Sequence, residues 1–111
     1  MTPVSDAERE DGFAFDSELW LWSAEGGTAW TFATVPQELS EIIGELSAER
    51  GPRKGFGSIK VEVELGASTW KTSVFPDKSS GCYFLPIKSA VRRAEDVEAG
   101  DRVVVRLRLI E

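Results

Sequence analysis

The side chains able to do chemistry in this 111-residue chain fall into a few sets, and an absence narrows the field first. There is no histidine. Imidazole bases, Ser-His-Asp triads and His-based zinc sites are therefore excluded. The single cysteine, Cys82, can form neither an intramolecular disulfide nor a thiolate cluster. It opens a strand beside Tyr83 and Phe84, where a small buried or half-buried residue is expected. The stretch RGPRKGFG has neither P-loop nor dinucleotide spacing. No cofactor is expected.

Carboxylates come next. Glu62 and Glu64 alternate along one side of a strand pattern, as do Asp16 and Glu18. An acid–base pair needs a pocket. On an outward strand side, the expected partners of Glu62 and Glu64 are Arg106 and Arg108, contributing about 0–1 kcal/mol per pair. Asp77 after Pro76 and Asp101 after Gly100 have the setting of turn carboxylates that accept from nearby amides.

Two sets suit binding rather than catalysis. Trp20, Trp22, Trp30, Phe32 and Trp70 are candidates for a ligand or partner face, against the competing reading of an aromatic core. Arg53, Lys54, Lys88, Arg92 and Arg93 are candidates for an anion site, against a solvated helix surface. Lys88 and Arg92 are four apart on one helix side, and Arg93 turns aside. Glu95, Asp96 and Glu98 follow and partly offset the field.

These sets need elements to place them. Residues 1–12 are acidic, with little to bury, and read as a disordered tail. FAFDSELWLW reads as one strand: Phe13, Phe15, Leu19 and Leu21 on one side, Asp16, Glu18, Trp20 and Trp22 on the other. The second side turns from charged to aromatic, as if entering a covered region. Glu25-Gly26-Gly27 is a turn, and a three-residue loop sets Trp22 against Trp30 and Trp20 against Phe32. Pro36 opens a helix over about residues 37–48, with Leu39, Ile42, Ile43 and Leu46 at helical spacing.

GFGSIKVEVEL is the clearest strand, with Ile59, Val61, Val63 and Leu65 inward. Gly66-Ala67 fits a two-residue hairpin pairing Val63 with Trp70, Val61 with Thr72 and Ile59 with Val74. CYFLP is a short strand stopped by Pro86. A short helix follows over about residues 87–95, with Ile87, Val91 and Ala94 inward and Lys88, Arg92 and Glu95 outward. EAGD turns into the last strand, RVVVRLRLI. Hairpin connections predominate. The expected class is therefore mostly β: a small antiparallel barrel or split barrel over residues 13–111, forming a single domain.

The formal charge of −6 counts against nucleic acid and against anionic membranes as partners. No apolar run approaches the roughly 20 residues of a membrane span. The acidic start MTPVSDAEREDG lacks the marks of a signal peptide, so a cytoplasmic location is expected.

FLPIKSAVRRAEDVEAGDRVVVRL resembles the C-terminal signature of a bacterial domain-of-unknown-function family, whose members occur alone or beside OmpD-associated or bacteriocin-protection domains. Val35-Pro36, the Gly55 to Leu65 strand, Trp70-Lys71-Thr72-Ser73 and Pro76 extend the resemblance over about Phe13 to Leu109. It implies a small double-split β-barrel and no assigned reaction. More distantly, Leu85-Pro86, Lys88 to Arg93 and Gly100-Asp101-Arg102-Val103 are similar to AbrB-like swapped-hairpin barrels. That likeness implies a homodimer and DNA binding. The acidic charge, the long first hairpin and the Leu39–Leu46 helix depart from it.

The leading expectation is a non-catalytic cytoplasmic β-barrel module that binds a protein partner or small ligand through its aromatic face. The alternatives are an AbrB-like dimeric DNA-binding regulator, and a carboxylate-based enzyme with Asp or Glu beside Trp in an aromatic pocket.

Overall fold

Alternation of apolar and polar side chains sets most of the strands. The computed structural model describes residues 12–23, 26–49 and 57–110. Its strands are β1 (Gly12–Glu18), β2 (Trp20–Ser23), β3 (Ala29–Thr34), β4 (Ile59–Leu65), β5 (Ser68–Pro76), β6 (Tyr83–Pro86) and β7 (Arg102–Leu109). The helices are α1 (Gln37–Glu49) and α2 (Ser89–Glu95). The seven strands run in the order β1-β7-β4-β5-β6-β3-β2, with every neighbouring pair antiparallel. They curl into a half-barrel of the expected mostly-β class. The expected acidic tail falls on residues 1–11, outside the described residues, and on Gly12, which begins β1.

The two local hairpins have the expected registers. Val63 lies opposite Trp70, Val61 opposite Thr72 and Ile59 opposite Val74. Gly66 adopts φ +59 at the first turn position, a conformation that glycine takes without steric cost. A Cβ there would also lie 1.8 Å from Glu95 Oε1. Glu95 is thus not simply on the outer side of α2. It accepts from Ser68 Oγ at 2.7 Å and from the Ala67 N–H at 3.3 Å, tying α2 to the β4–β5 turn. In the first hairpin Trp20 lies opposite Phe32, and Trp22 opposite Trp30.

FAFDSELWLW is not one strand. β1 pairs with β7, whereas β2 pairs with β3, and the change occurs at Leu19. The Leu19 N–H donates to the Asp101 carbonyl, and the Gly100 N–H donates to the Leu19 carbonyl, both at 2.8 Å. Two residues therefore oppose one, as in a β-bulge, and Gly100 has the positive φ of +100 that such a bulge accepts. The bulge bends the chain out of one half of the sheet and into the other. Leu19 is 1% exposed at the corner, while Leu21, expected on the same buried side, is 57% exposed.

β5 makes the second crossing. Its residues Ser68 to Val74 pair with β4, and only Phe75 and Pro76 pair with β6. One half of the sheet is therefore β1-β7-β4 with most of β5. The other is the end of β5 with β6-β3-β2. Strands that change sheets at bends turn the corners of such barrels.

Inward side chains from both halves form one core, including Val61, Val63, Val74, Ala33, Leu85, Val105 and Leu107. α1 contributes Ile43, fully buried, with Leu39 and Leu46 packed against the core. Ile42, expected among the apolar set, is 43% exposed. Ala94 is exposed too, so α2 presents Val91 inward, and Ile87 is buried just before the helix begins.

The least expected inward residue of α1 is Ser40, 2% exposed. The β3–β6 register would bring Val35 opposite Tyr83. The Val35 N–H does donate to the Tyr83 carbonyl at 2.9 Å. The return bond passes through a hydroxyl: the Tyr83 N–H donates to Ser40 Oγ, which donates to the Val35 carbonyl, each at 3.0 Å. Ser40 extends the ladder where Pro36 has already turned the chain toward the helix.

Two turns are held by carboxylates, as expected. Asp101 Oδ2 accepts from the Glu98 N–H at 2.9 Å. Asp77 Oδ1 accepts from the Ser79 N–H at 3.2 Å and from Ser79 Oγ at 2.9 Å. Hydrogen bonds from the Ser80 and Ser79 side chains hold the Asp77 carboxyl below its ordinary value.

Ser40→Ala removes the acceptor of a buried amide and should cost about 1–3 kcal/mol. In urea unfolding the midpoint should fall at unchanged slope. An unchanged midpoint would show that the relay is dispensable. For Asp77, the lowered value means a contribution to stability that is present above the unfolded pKa and lost as pH falls through the folded one. Replacing both Ser79 and Ser80 with Ala should raise the Asp77 titration observed by carboxyl NMR. No upward movement would rule out this cause.

Candidate functional site

The two halves of the sheet present opposite chemistry to the outside. On the first half most outward positions of β1, β4 and β7 are charged, with Ala14 and Val104 as exposed exceptions, and the β4 and β7 charges are matched in register. Glu62 lies opposite Arg108 and Glu64 opposite Arg106. Arg108 Nη2 reaches Glu62 Oε1 at 2.5 Å, and Arg106 Nε lies 3.7 Å from Glu64 Oε1. Arg102 Nη2 reaches Asp16 Oδ1 at 3.2 Å. The expected Glu–Arg partnership is present. Exposed pairs of this kind contribute little to stability, but charge on outer strands discourages unwanted pairing.

On the second half the outward positions are aromatic. Side chains alternate along each strand, so β3 turns Thr31 and Ala33 inward and Trp30 and Phe32 outward. β6 likewise buries Tyr83 and Leu85 and turns out Phe84 and Pro86. β2 adds Trp20 and Trp22, and the end of β5 adds Phe75. These seven residues line an apolar groove of about 370 Å³.

Phe32 sits at the middle of the ring network. Its centroid lies 5.1 Å from Trp20, 5.7 Å from Phe84 and 6.4 Å from Trp30, the last pair being stacked at 16°. Trp20 meets Phe84 edge-on at 5.2 Å and 78°. Tilted and edge-on pairs at such distances are favourable aromatic geometry. Trp20 Nε1–H donates to Thr34 Oγ1 at 2.8 Å, which fixes that indole. Despite this mutual cover, Trp22 and Trp30 remain 48% and 51% exposed, and Phe75 43%. The expected covered region is thus an outward face with open tryptophans.

Trp20, Trp22, Trp30 and Phe32 come together as the sequence reading grouped them. Trp70 does not join them. It is 9% exposed and points inward opposite Val63. Phe75, Phe84 and Pro86 complete the groove from outside the expected set. The period-two pattern of Tyr-Phe-Leu-Pro marks Phe84 and Pro86 as sharing a side, but the pairing of β6 with β3 and β5 is what brings them to the tryptophans.

A second recess opens where β6 stops. The β5–β6 ladder holds only Phe75 opposite Phe84 and Pro76 opposite Tyr83. Beyond it, the Ile87 N–H donates to the Thr31 carbonyl at 2.9 Å, and the chain departs into α2. The gap left between β3 and the earlier part of β5 is a recess of about 410 Å³, lined by residues that include Trp30, Trp70, Lys71, Pro86, Lys88 and Arg92. Trp30 and Pro86 line both recesses and form the ridge between them.

The basic candidates separate. Lys88 and Arg92 share the second recess. Arg93 opens with Arg92 onto a third, of about 320 Å³, that also holds Asp96 and Glu98. Those two carboxylates offset the arginines on that side. Arg53 and Lys54 lie outside the described residues.

The remaining chemistry is sparse. No carboxylate is among the residues lining the aromatic groove, so the Asp or Glu beside Trp that the enzymatic alternative requires is not found there. Cys82 is half-buried, and its N–H donates to Ser80 Oγ at 3.2 Å. Among the described residues, no group of three His, Cys, Asp or Glu side chains is placed to hold a metal ion. None of their helices is long and apolar enough to cross a membrane.

The family model described as Domain of unknown function (DUF1905) matches residues 15–107, nearly the span over which the sequence showed its family resemblance. No curated protein matches the chain.

Proposed function

The chain belongs to the family described as Domain of unknown function (DUF1905), and from that premise we propose that it is a non-catalytic binding module whose aromatic groove takes a small, flat, apolar ligand. The observation that carries this reading is the exposure of Trp22 and Trp30, at 48% and 51%, on a face whose whole lining is aromatic or proline. The core is already supplied by inward residues such as Val61, Val74, Leu85 and Leu107. Folding does not need two half-open tryptophans on the outside, and contiguous exposed apolar patches mark interaction sites.

A small ligand is favoured by the shape and size of the groove. At about 370 Å³ it falls in the range of small-molecule sites, roughly 300–1,000 Å³. The Trp20 indole N–H is committed to Thr34, so the floor of the groove offers ring faces rather than donors.

Naphthalene methanol, an uncharged flat probe, tests the reading by NMR titration. Saturable shifts should be concentrated at the indole N–H groups of Trp22 and Trp30, with Trp70 moving least. Trp30→Ala should weaken binding about tenfold or more while the folded spectrum is retained. Absence of saturable binding at millimolar probe would overturn the proposal. So would a dimer in sedimentation that Trp22→Ala dissolves, since a second copy would then occupy the face.

A further inference from the structure

The recess beyond the Trp30–Pro86 ridge adds a charge preference to that groove. In a chain of net charge −6, Lys71, Lys88 and Arg92 converge on one recess with no carboxylate among its lining residues. Contrast the arginines of the first half. Arg102, Arg106 and Arg108 are each matched to a carboxylate. Neither Lys71 nor Lys88 takes part in an ion pair among the described residues. Glu62 lies across from Lys71 in register, but its carboxylate receives Arg108. Arg92 is held in place differently: its Nε–H donates to the Ile87 carbonyl at 3.2 Å, which anchors the guanidinium beside the recess.

The two recesses share Trp30 and Pro86, so one molecule can lie across both. We propose that they form a single bipartite site for a small amphipathic anion. Its flat apolar body lies on Trp30 and Phe32, and its carboxylate or phosphate sits among Lys71, Lys88 and Arg92. The two parts are complementary in what they supply. The aromatic groove provides area without charge, and the cationic recess provides charge-assisted donors beside the second tryptophan, Trp70. This inference rests on the aromatic groove being a ligand site.

Three probes with one ring system separate the two ideas: naphthalene methanol, naphthoate and naphthyl phosphate. In calorimetric and NMR titrations at low salt, at least one anion should bind about tenfold or more tightly than the alcohol. That advantage should shrink as salt is raised. The tighter of the two anions identifies the head group, and either order supports the site. The indole N–H resonances of both Trp30 and Trp70 should shift with the tighter anion. The double variant Lys71→Ala, Lys88→Ala changes exposed residues and should abolish the anion's advantage while leaving the alcohol's affinity unchanged. If neither anion binds more tightly than the alcohol, the bipartite site is wrong and the aromatic groove stands. If the double variant retains the advantage, the charge assignment is wrong. If none of the three probes binds, both readings fall.

Discussion

The clasp between Leu19 and the Gly100-Asp101 bulge decides where the aromatic residues go. Two backbone hydrogen bonds, both 2.8 Å, grip Leu19 at the end of β1. Gly100 takes the positive φ that lets its N–H turn toward the Leu19 carbonyl. Immediately beyond, the chain leaves β7 and pairs with β3. Trp20 and Trp22 keep the outward parity of Asp16 and Glu18, but on the other half of the sheet. Without that corner, a straight strand would carry the tryptophans along the charged outer face. With it, Trp20 reaches Phe32 and Phe84.

The divided sheet explains the contrast between its faces. Each half needs only its inward side for the core. The outward side of the first half is then free to be polar, and its Glu–Arg pairs are ordinary solvated partners. The outward side of the second half is not polar, although the same alternation would have allowed it. Ring–ring contacts through Phe32 cover some of this area, while Trp22, Trp30 and Phe75 remain open. Burial therefore accounts for Trp70 and much of Trp20, but not for the rim of the groove.

The end of β6 is the second consequence of the same geometry. Proline has no amide donor, and Pro86 is the last residue of its strand. The chain then turns under Thr31 into α2, and the earlier residues of β5 are left without a strand on the edge away from β4. α2 is fastened across this opening by Glu95 on the β4–β5 turn. That fastening sets where Lys88 and Arg92 stand relative to Trp30 and Trp70: both line the recess, and Arg92 also borders the one that holds Asp96 and Glu98.

Much of the molecule was legible without coordinates, and what was legible was local. The alternation of Ile59 to Leu65, the Gly66-Ala67 turn and the aromatic ladder of Trp20 with Phe32 specify pairings between neighbours in sequence. The matched pattern of Glu62, Glu64, Arg106 and Arg108 is a long-range pairing that period-two patterning still revealed. The sequence by itself thus determined the mostly-β class, the hairpin registers, both helices and the absence of histidine chemistry. Tertiary structure decided the rest. It split one apparent strand at Leu19, because a bulge on a distant strand bends it. It buried Ser40, because the β3–β6 ladder needed a hydroxyl relay that helical periodicity does not mark. It brought Phe75, Phe84 and Pro86 to the tryptophans. Side-chain alternation shows which residues share a side of a strand. Which strands become neighbours depends on how the whole sheet closes around its core.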